Sequence, residues 1–182
     1  MKSKTNYFIV FLFIMIMCQQ VFAENLELND IINATPESIV TFELTLNDAP
    51  NVVQAMGFDI TFNPGILSYQ GYELNQTCQD RFDSFDANLI GNNVIRVGGF
   101  RNSAGTKIQP GDSLQIMSLS FTVLKSGNDS LHLHNLKDHF KDWSVKDGSI
   151  SIKTSMGYED VNNDGQVGLA EVIHLLQIVT GF

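Results

Sequence analysis

The chain has 182 residues, 43% of them hydrophobic and 17% charged, with 11 lysines and arginines against 20 aspartates and glutamates. That is enough chain for one domain. A formal charge of -9 excludes nucleic acid as a partner, because sequence-independent binding to phosphate backbones needs a basic face to displace counterions.

In chain order, Lys2 and Lys4 form a basic start, Tyr7 to Met17 is an uncharged apolar run, and Val21-Phe22-Ala23 precedes Glu24. Residues 1–23 read as a cleaved export signal, which makes the protein secreted, at the cell surface or in a periplasm. The apolar run breaks at Gln19 and Gln20, short of the roughly 20 residues that cross a bilayer, so no membrane span is expected after cleavage. Met17 stands where a lipoprotein signal at Cys18 would need a small residue. Cleavage removes Cys18 and leaves Cys78 without an intramolecular partner, so no disulfide framework can form. No His or Asn pattern around Cys78 suggests an activated nucleophile, and it reads as a tolerated free thiol.

From Leu26 to Lys153 apolar residues recur at every second position in short bursts. Phe42, Leu44 and Leu46 alternate with Thr41, Glu43 and Thr45; Phe58, Ile60 and Phe62 alternate with Asp59 and Thr61. Ile95 and Val97, Met117 to Val123, Leu131 and Leu133, and Ile150 and Ile152 continue the pattern. Each burst has one face for a core and one for water, as half-buried strands do. Asn47-Asp48-Ala49-Pro50, Asn63-Pro64-Gly65, Gly91-Asn92-Asn93, Gln109-Pro110-Gly111-Asp112, Gly127-Asn128-Asp129 and Asp147-Gly148 separate them with turn chemistry. The spacing predicts eight or nine strands in an antiparallel sandwich or jelly roll. Leu114 and Ile116 are out of phase with Met117, Leu119 and Phe121, which predicts a β-bulge near Ile116 to Met117.

The stretch Gln54-Ala55-Met56-Gly57-Phe58-Asp59-Ile60-Thr61-Phe62-Asn63-Pro64-Gly65-Ile66-Leu67, with Tyr69 close behind, resembles the signature of cohesin domains. Ile108-Gln109-Pro110-Gly111-Asp112 and the closing Val145-Lys146-Asp147-Gly148-Ser149-Ile150 fit the same order. The resemblance implies an all-β fold over residues 24–153: a nine-stranded jelly roll without a catalytic centre, which binds dockerin modules through one flat sheet face.

After a polar link from Thr154 to Glu159, residues 160–171 match the loop D-x-[DN]-x-[DN]-G-x5-E position for position. Calcium takes six to eight oxygens, and this spacing turns oxygens inward at loop positions 1, 3, 5, 7 and 12. Asp160, Asn162 and Asp164 supply side-chain oxygens, Gln166 a backbone carbonyl and Glu171 a bidentate carboxylate. Gly165 permits the turn at position six. The expected cofactor is Ca2+.

No helical periodicity precedes Asp160, whereas Leu169 to Thr180 forms an exiting helix with Gly181 as its C-cap. A loop with one helix resembles a single dockerin repeat, over residues 154–182; complete dockerins carry two. The helix is apolar nearly all round and must bury against something. The short link favours the edge or end of its own sandwich, with calcium as a clip, over docking on another molecule.

Other groupings read as solvated surface. His132 and His134 share a strand face near Asp138 but lack a third metal ligand. Asp80, Asp83 and Asp86 read as an acidic loop. Tyr69, Tyr72 and Trp143 could form a sugar-binding platform or a core edge. No GxSxG turn, HExxH helix or phosphate-cradling glycine loop occurs, which argues against an enzyme. The reading is a secreted, non-catalytic, calcium-binding module for adhesion or assembly, partnered by a dockerin- or cohesin-bearing chain. The alternative is a carbohydrate-binding protein that serves polysaccharide capture or breakdown.

Overall fold

The computed structural model describes residues 25–153 and 168–181. Residues 1–23, read above as an export signal, the link and residues 160–167 of the loop lie outside the described residues. Among the described residues eleven strands are formed: β1 (Leu26–Leu28), β2 (Ile31–Ala34), β3 (Ile39–Leu46), β4 (Ala55–Thr61), β5 (Leu67–Leu74), β6 (Ser84–Ile90), β7 (Val94–Phe100), β8 (Leu114–Val123), β9 (Gly127–Asp138), β10 (Val145–Lys146) and β11 (Gly148–Ile152). Two helices accompany them among the described residues, α1 (Gln76–Gln79) and α2 (Leu169–Thr180). The strands make two sheets, a five-stranded one ordered β10-β1-β3-β8-β5 and a six-stranded one ordered β2-β11-β9-β4-β7-β6.

The alternation in the sequence is the cause of the sandwich. In β3 and β7 every second side chain is buried, and the inward residues of both sheets meet in one core. Aromatic rings dominate its centre: Phe121 lies 5.8 Å from Phe42 and 5.1 Å from Phe62, both in edge-to-face contact. Such pairs contribute about 0.5–1.5 kcal/mol each beyond area burial.

The bulge expected from the slip in hydrophobic phase is present. Leu44 faces Met117 while Thr45 faces Gln115, so Ile116 is the extra residue. Ile116 and Met117 are both fully buried, which a regular strand could not achieve.

The strand count of eleven exceeds the expected nine because both ends of the sandwich cross between sheets. β1 belongs to the five-stranded sheet and β2 to the six-stranded one, and β10 and β11 divide in the same way. The two crossings lie side by side, with β1 parallel to β10 and β2 parallel to β11. Gly148 sits at this junction: a Cβ there would stand 2.9 Å from both the Asn29 carbonyl oxygen and Leu28 Cβ. A second departure is β6, which occupies part of the stretch that read as an acidic loop. Asp86 and Asn88 point outward around buried Ala87, so irregular acid spacing concealed a strand.

Helix α2 ends as its sequence requires, with Gly181 at φ 73° donating its N–H to Gln177 O at 2.9 Å. Its large apolar side chains Leu169, Val172, Ile173, Leu176, Ile178 and Val179 are 47–81% exposed. The helix is therefore not buried on its own sandwich, contrary to the expectation from linker reach. Apolar composition requires a cover for a helix but does not specify which molecule supplies it. Among the described residues no helix is long and apolar enough to cross a membrane.

Candidate functional site

The outer face of the six-stranded sheet carries charged side chains that face one another across strands. Because Met56, Phe58 and Ile60 turn into the core, Gly57, Asp59 and Thr61 of β4 turn outward. Strand register then aligns two rows across four strands. One row runs Asn88, Arg96, Asp59, His134, and the next Asp86, Gly98, Gly57, Lys137.

The first row is filled. Arg96 donates from Nε to Asp59 Oδ1 at 2.9 Å and from the guanidinium NH2 to Oδ2 at 3.1 Å, while the Asn135 side-chain amide donates to Oδ2 at 2.7 Å. The Asp59 side chain is 7% exposed and Arg96 56%. The Arg96 hydrogen bonds hold the Asp59 carboxyl below its ordinary value, against the opposing effect of burial and with help from Asn135. Asn135 reaches Asp59 because β9 bulges: Gly57 faces Lys137 and Asp59 faces His134, so residues 135 and 136 share the place opposite Phe58. Asn135 itself takes φ 55°.

The second row has two bare positions at its centre. Gly57 and Gly98 have no side chains, and a Cβ on Gly98 would meet nothing within 4 Å. The result is a cleft of about 380 Å³ with a backbone floor, walled by the Asp59–Arg96 pair and rimmed by Asp86, Asn88, Lys137 and Asp138. It presents both signs of charge and side-chain amides at a depression the size of a few side chains. Sequence reasoning placed Asp59 and Gly57 on a strand but could not show that two glycines of different strands would be neighbours.

Of the calcium-loop residues, Asp160, Asn162, Asp164 and Gln166 lie outside the described residues. Glu171 is described, in the first turn of α2. Its Oε2 accepts the Gly168 N–H at 2.6 Å. The residue is only 1% exposed, and Oε1 is buried without a hydrogen-bond partner.

The remaining candidates are structural. His132 is held between Ser130, 2.9 Å from Nε2, and Asp147, 2.8 Å from Nδ1. Asp147 also accepts the Leu133 N–H at 2.8 Å, so the group clamps the β10–β11 junction onto β9. The imidazole is 58% exposed and lies outside the cleft. His134 pairs with Thr61 Oγ1 at 2.6 Å, so the two histidines have separate partners rather than a common ligand with Asp138. Asp83 accepts the N–H groups of Asn102 and Ser103, each at 2.7 Å. Trp143 is buried, stacks on Phe140 at 4.2 Å and donates to Asn51 Oδ1 at 2.8 Å. Tyr69 packs on Phe121 and Tyr72 on Phe85. These aromatics pack at the edge of the core. Cys78 is fully buried, and burial pushes its thiol up to about 12.

No curated sequence matches at a significant level. Solved structures do. The chain resembles the seventh ScaB type I cohesin of Pseudobacteroides cellulosolvens at 16% identity and a TM-score of 0.59, covering 72% of this chain and 92% of that one. A non-cellulosomal cohesin of the archaeon Archaeoglobus fulgidus matches at 18% identity and 0.56, covering 74% and 94%. A cohesin–dockerin complex of Clostridium thermocellum, Coh-OlpA-Doc918, matches at 12% and 0.57, covering 71% and 98%. At these identities the likeness shows the fold. The cohesin domain family itself matches residues 28–140, more than half of the sequence, and the chain belongs to that family.

Proposed function

We propose that this protein is an exported, non-catalytic assembly module of the cohesin–dockerin kind, whose six-stranded sheet receives a protein partner in the cleft floored by Gly57 and Gly98. The observation that carries this reading is the cleft itself. A regular outward strand face would fill those positions with side chains; here the backbone is open to an incoming group, with carboxylates, amides and a lysine around it. A depression rimmed by both charge signs fits polar side chains on a folded partner. The solved relatives include cohesins in complex with dockerins, which supports a dockerin-bearing chain as the partner class.

Filling the floor tests the reading. Gly98→Tyr adds a strand-compatible side chain where a Cβ has free space, so the fold should be retained. Titration of purified two-repeat dockerin modules into the sandwich should give binding that Gly98→Tyr weakens at least tenfold while the melting temperature stays within a few degrees. Equal affinity in both proteins would remove the partner from this face.

The C-terminal repeat is proposed to bind Ca2+ through Asp160, Asn162, Asp164, the Gln166 carbonyl and Glu171. Support comes from the Glu171 carboxylate, since a buried oxygen without a hydrogen bond carries a desolvation cost that a cation would offset. Calcium would supply a positive centre that draws the loop oxygens together. The residues of this chain set the entry to α2, with Glu171 joining the loop to the first helical turn.

A further inference from the structure

The end of the sandwich from which the chain departs carries a second depression, separate from the cleft. It is a groove of about 250 Å³ whose apolar lining is Phe62, Pro64, Leu67, Tyr69, Leu89 and Leu124. Leu89 and Leu124 are 42% and 49% exposed. No carboxylate, lysine, arginine or histidine lines it, in a molecule of net charge -9.

The groove and the chain exit lie at the same end of the sandwich. Leu124 donates its N–H to Ile66 O at 2.8 Å, Ile152 of β11 pairs with Gly127, and Lys153 donates to Ala34 O at 2.8 Å as the sandwich ends. Fifteen residues separate that exit from α2. Its only ionisable residues are Glu171, which is buried, and His174. Two uncharged apolar surfaces, one convex and one concave, are thus both left uncovered within one chain.

We infer that α2 of one copy seats in the Leu89–Leu124 groove of a second copy, joining molecules through their C-terminal repeats. Charge selects this occupant. Two copies of an acidic protein repel wherever their carboxylates face each other, and the helix and the groove are surfaces at which they meet without that repulsion. Complementary patches at different places on one chain make a heterologous contact, which closes into a pair by reciprocal exchange or continues into a chain. The groove has room for one or two aliphatic side chains, which suits the Leu176 and Val179 turn of the helix. This inference is independent of the cleft. Gly98→Tyr does not touch the groove, so loss of dockerin binding and loss of self-association are separately observable.

Analytical ultracentrifugation of the chain beginning at Glu24, saturated with calcium, tests it. The wild-type protein should associate across the micromolar range. Leu176→Asp on the helix and Leu89→Asp at the groove should each be monomeric, with Leu124→Asp as a second groove variant and unchanged far-ultraviolet dichroism as the folding control. Mixing the helix variant with a groove variant leaves one intact helix and one intact groove, and should restore a one-to-one dimer. A monomeric wild-type protein, as when the helix covers its own groove, would overturn the inference. So would association abolished by the helix variant but not by either groove variant, which would mean that helices pack on each other or elsewhere.

Discussion

Asp59 shows how one residue ties fold to surface. It is a carboxylate almost closed off from water that is tolerated because Arg96 and Asn135 supply three donors. Its folded-state pKa lies below the ordinary 3.8, so the folded protein binds this proton less readily than the unfolded chain. The resulting stabilisation is present above about pH 4 and is lost as the pH falls through the depressed value. Asp59→Asn should therefore cost about 1–3 kcal/mol near neutrality and flatten the fall in stability below pH 4, as followed by urea unfolding at a series of pH values. Cys78 gives a simpler test at the same scale. With its thiol buried and pushed up to about 12, it should resist Ellman's reagent at pH 8 in the native protein and react fully once urea unfolds the chain.

At the scale of elements, α2 and its loop should behave as one unit. Glu171 is the only residue proposed both to hold the ion and to bond the start of the helix, through the Gly168 N–H. Glu171→Ala should lower calcium affinity by at least tenfold in titration calorimetry and remove the calcium-dependent gain in helical dichroism, while the sandwich melts as before. Calcium bound equally by the variant would exclude Glu171 from the site.

Elements were also where the sequence was most and least legible. Alternation in Phe42 to Leu46 and Phe58 to Phe62 made β3 and β4 readable, and the phase slip before Met117 disclosed the bulge, because burial at period two leaves a direct trace. β6 left none, since its outward polar residues Asp86 and Asn88 and a single buried Ala87 resemble loop composition. The cleft was illegible for a related reason. Gly57 and Gly98 are 41 positions apart in the numbering, and only the β4–β7 register makes them neighbours. The aromatics that suggested a sugar platform were ambiguous because amphipathic rings serve core edges and binding faces alike.

For the whole molecule, stability depends on the place where the two ends of the sandwich cross. Leu28, Asn29 and Phe42 surround the Cα of Gly148 so closely that a methyl group would stand 2.9 Å from two heavy atoms and 3.1 Å from a third. Gly148→Ala should separate β10 and β11 from β1 and β2, lowering stability by about 1–3 kcal/mol and loosening both ends together. Hydrogen exchange would register this as loss of protection at Leu26 and Ile150 alike, and an effect confined to one end would contradict the arrangement.

The same crossing governs when this protein can become a protein at all. The partners that complete each sheet, Leu26 with Val145 and Ile31 with Ile150, stand at opposite extremes of the sandwich sequence, so the enclosing contacts join the first strands to the last and cannot form until the last have been made. A nascent chain that has not yet emerged as far as β11 lacks those partners: β1 can pair with β3 alone, and β2 has no strand beside it. On the proposal that the chain is exported, that delay would have a use: a translocation channel accepts an extended chain, and the final closure waits for β11 to come through.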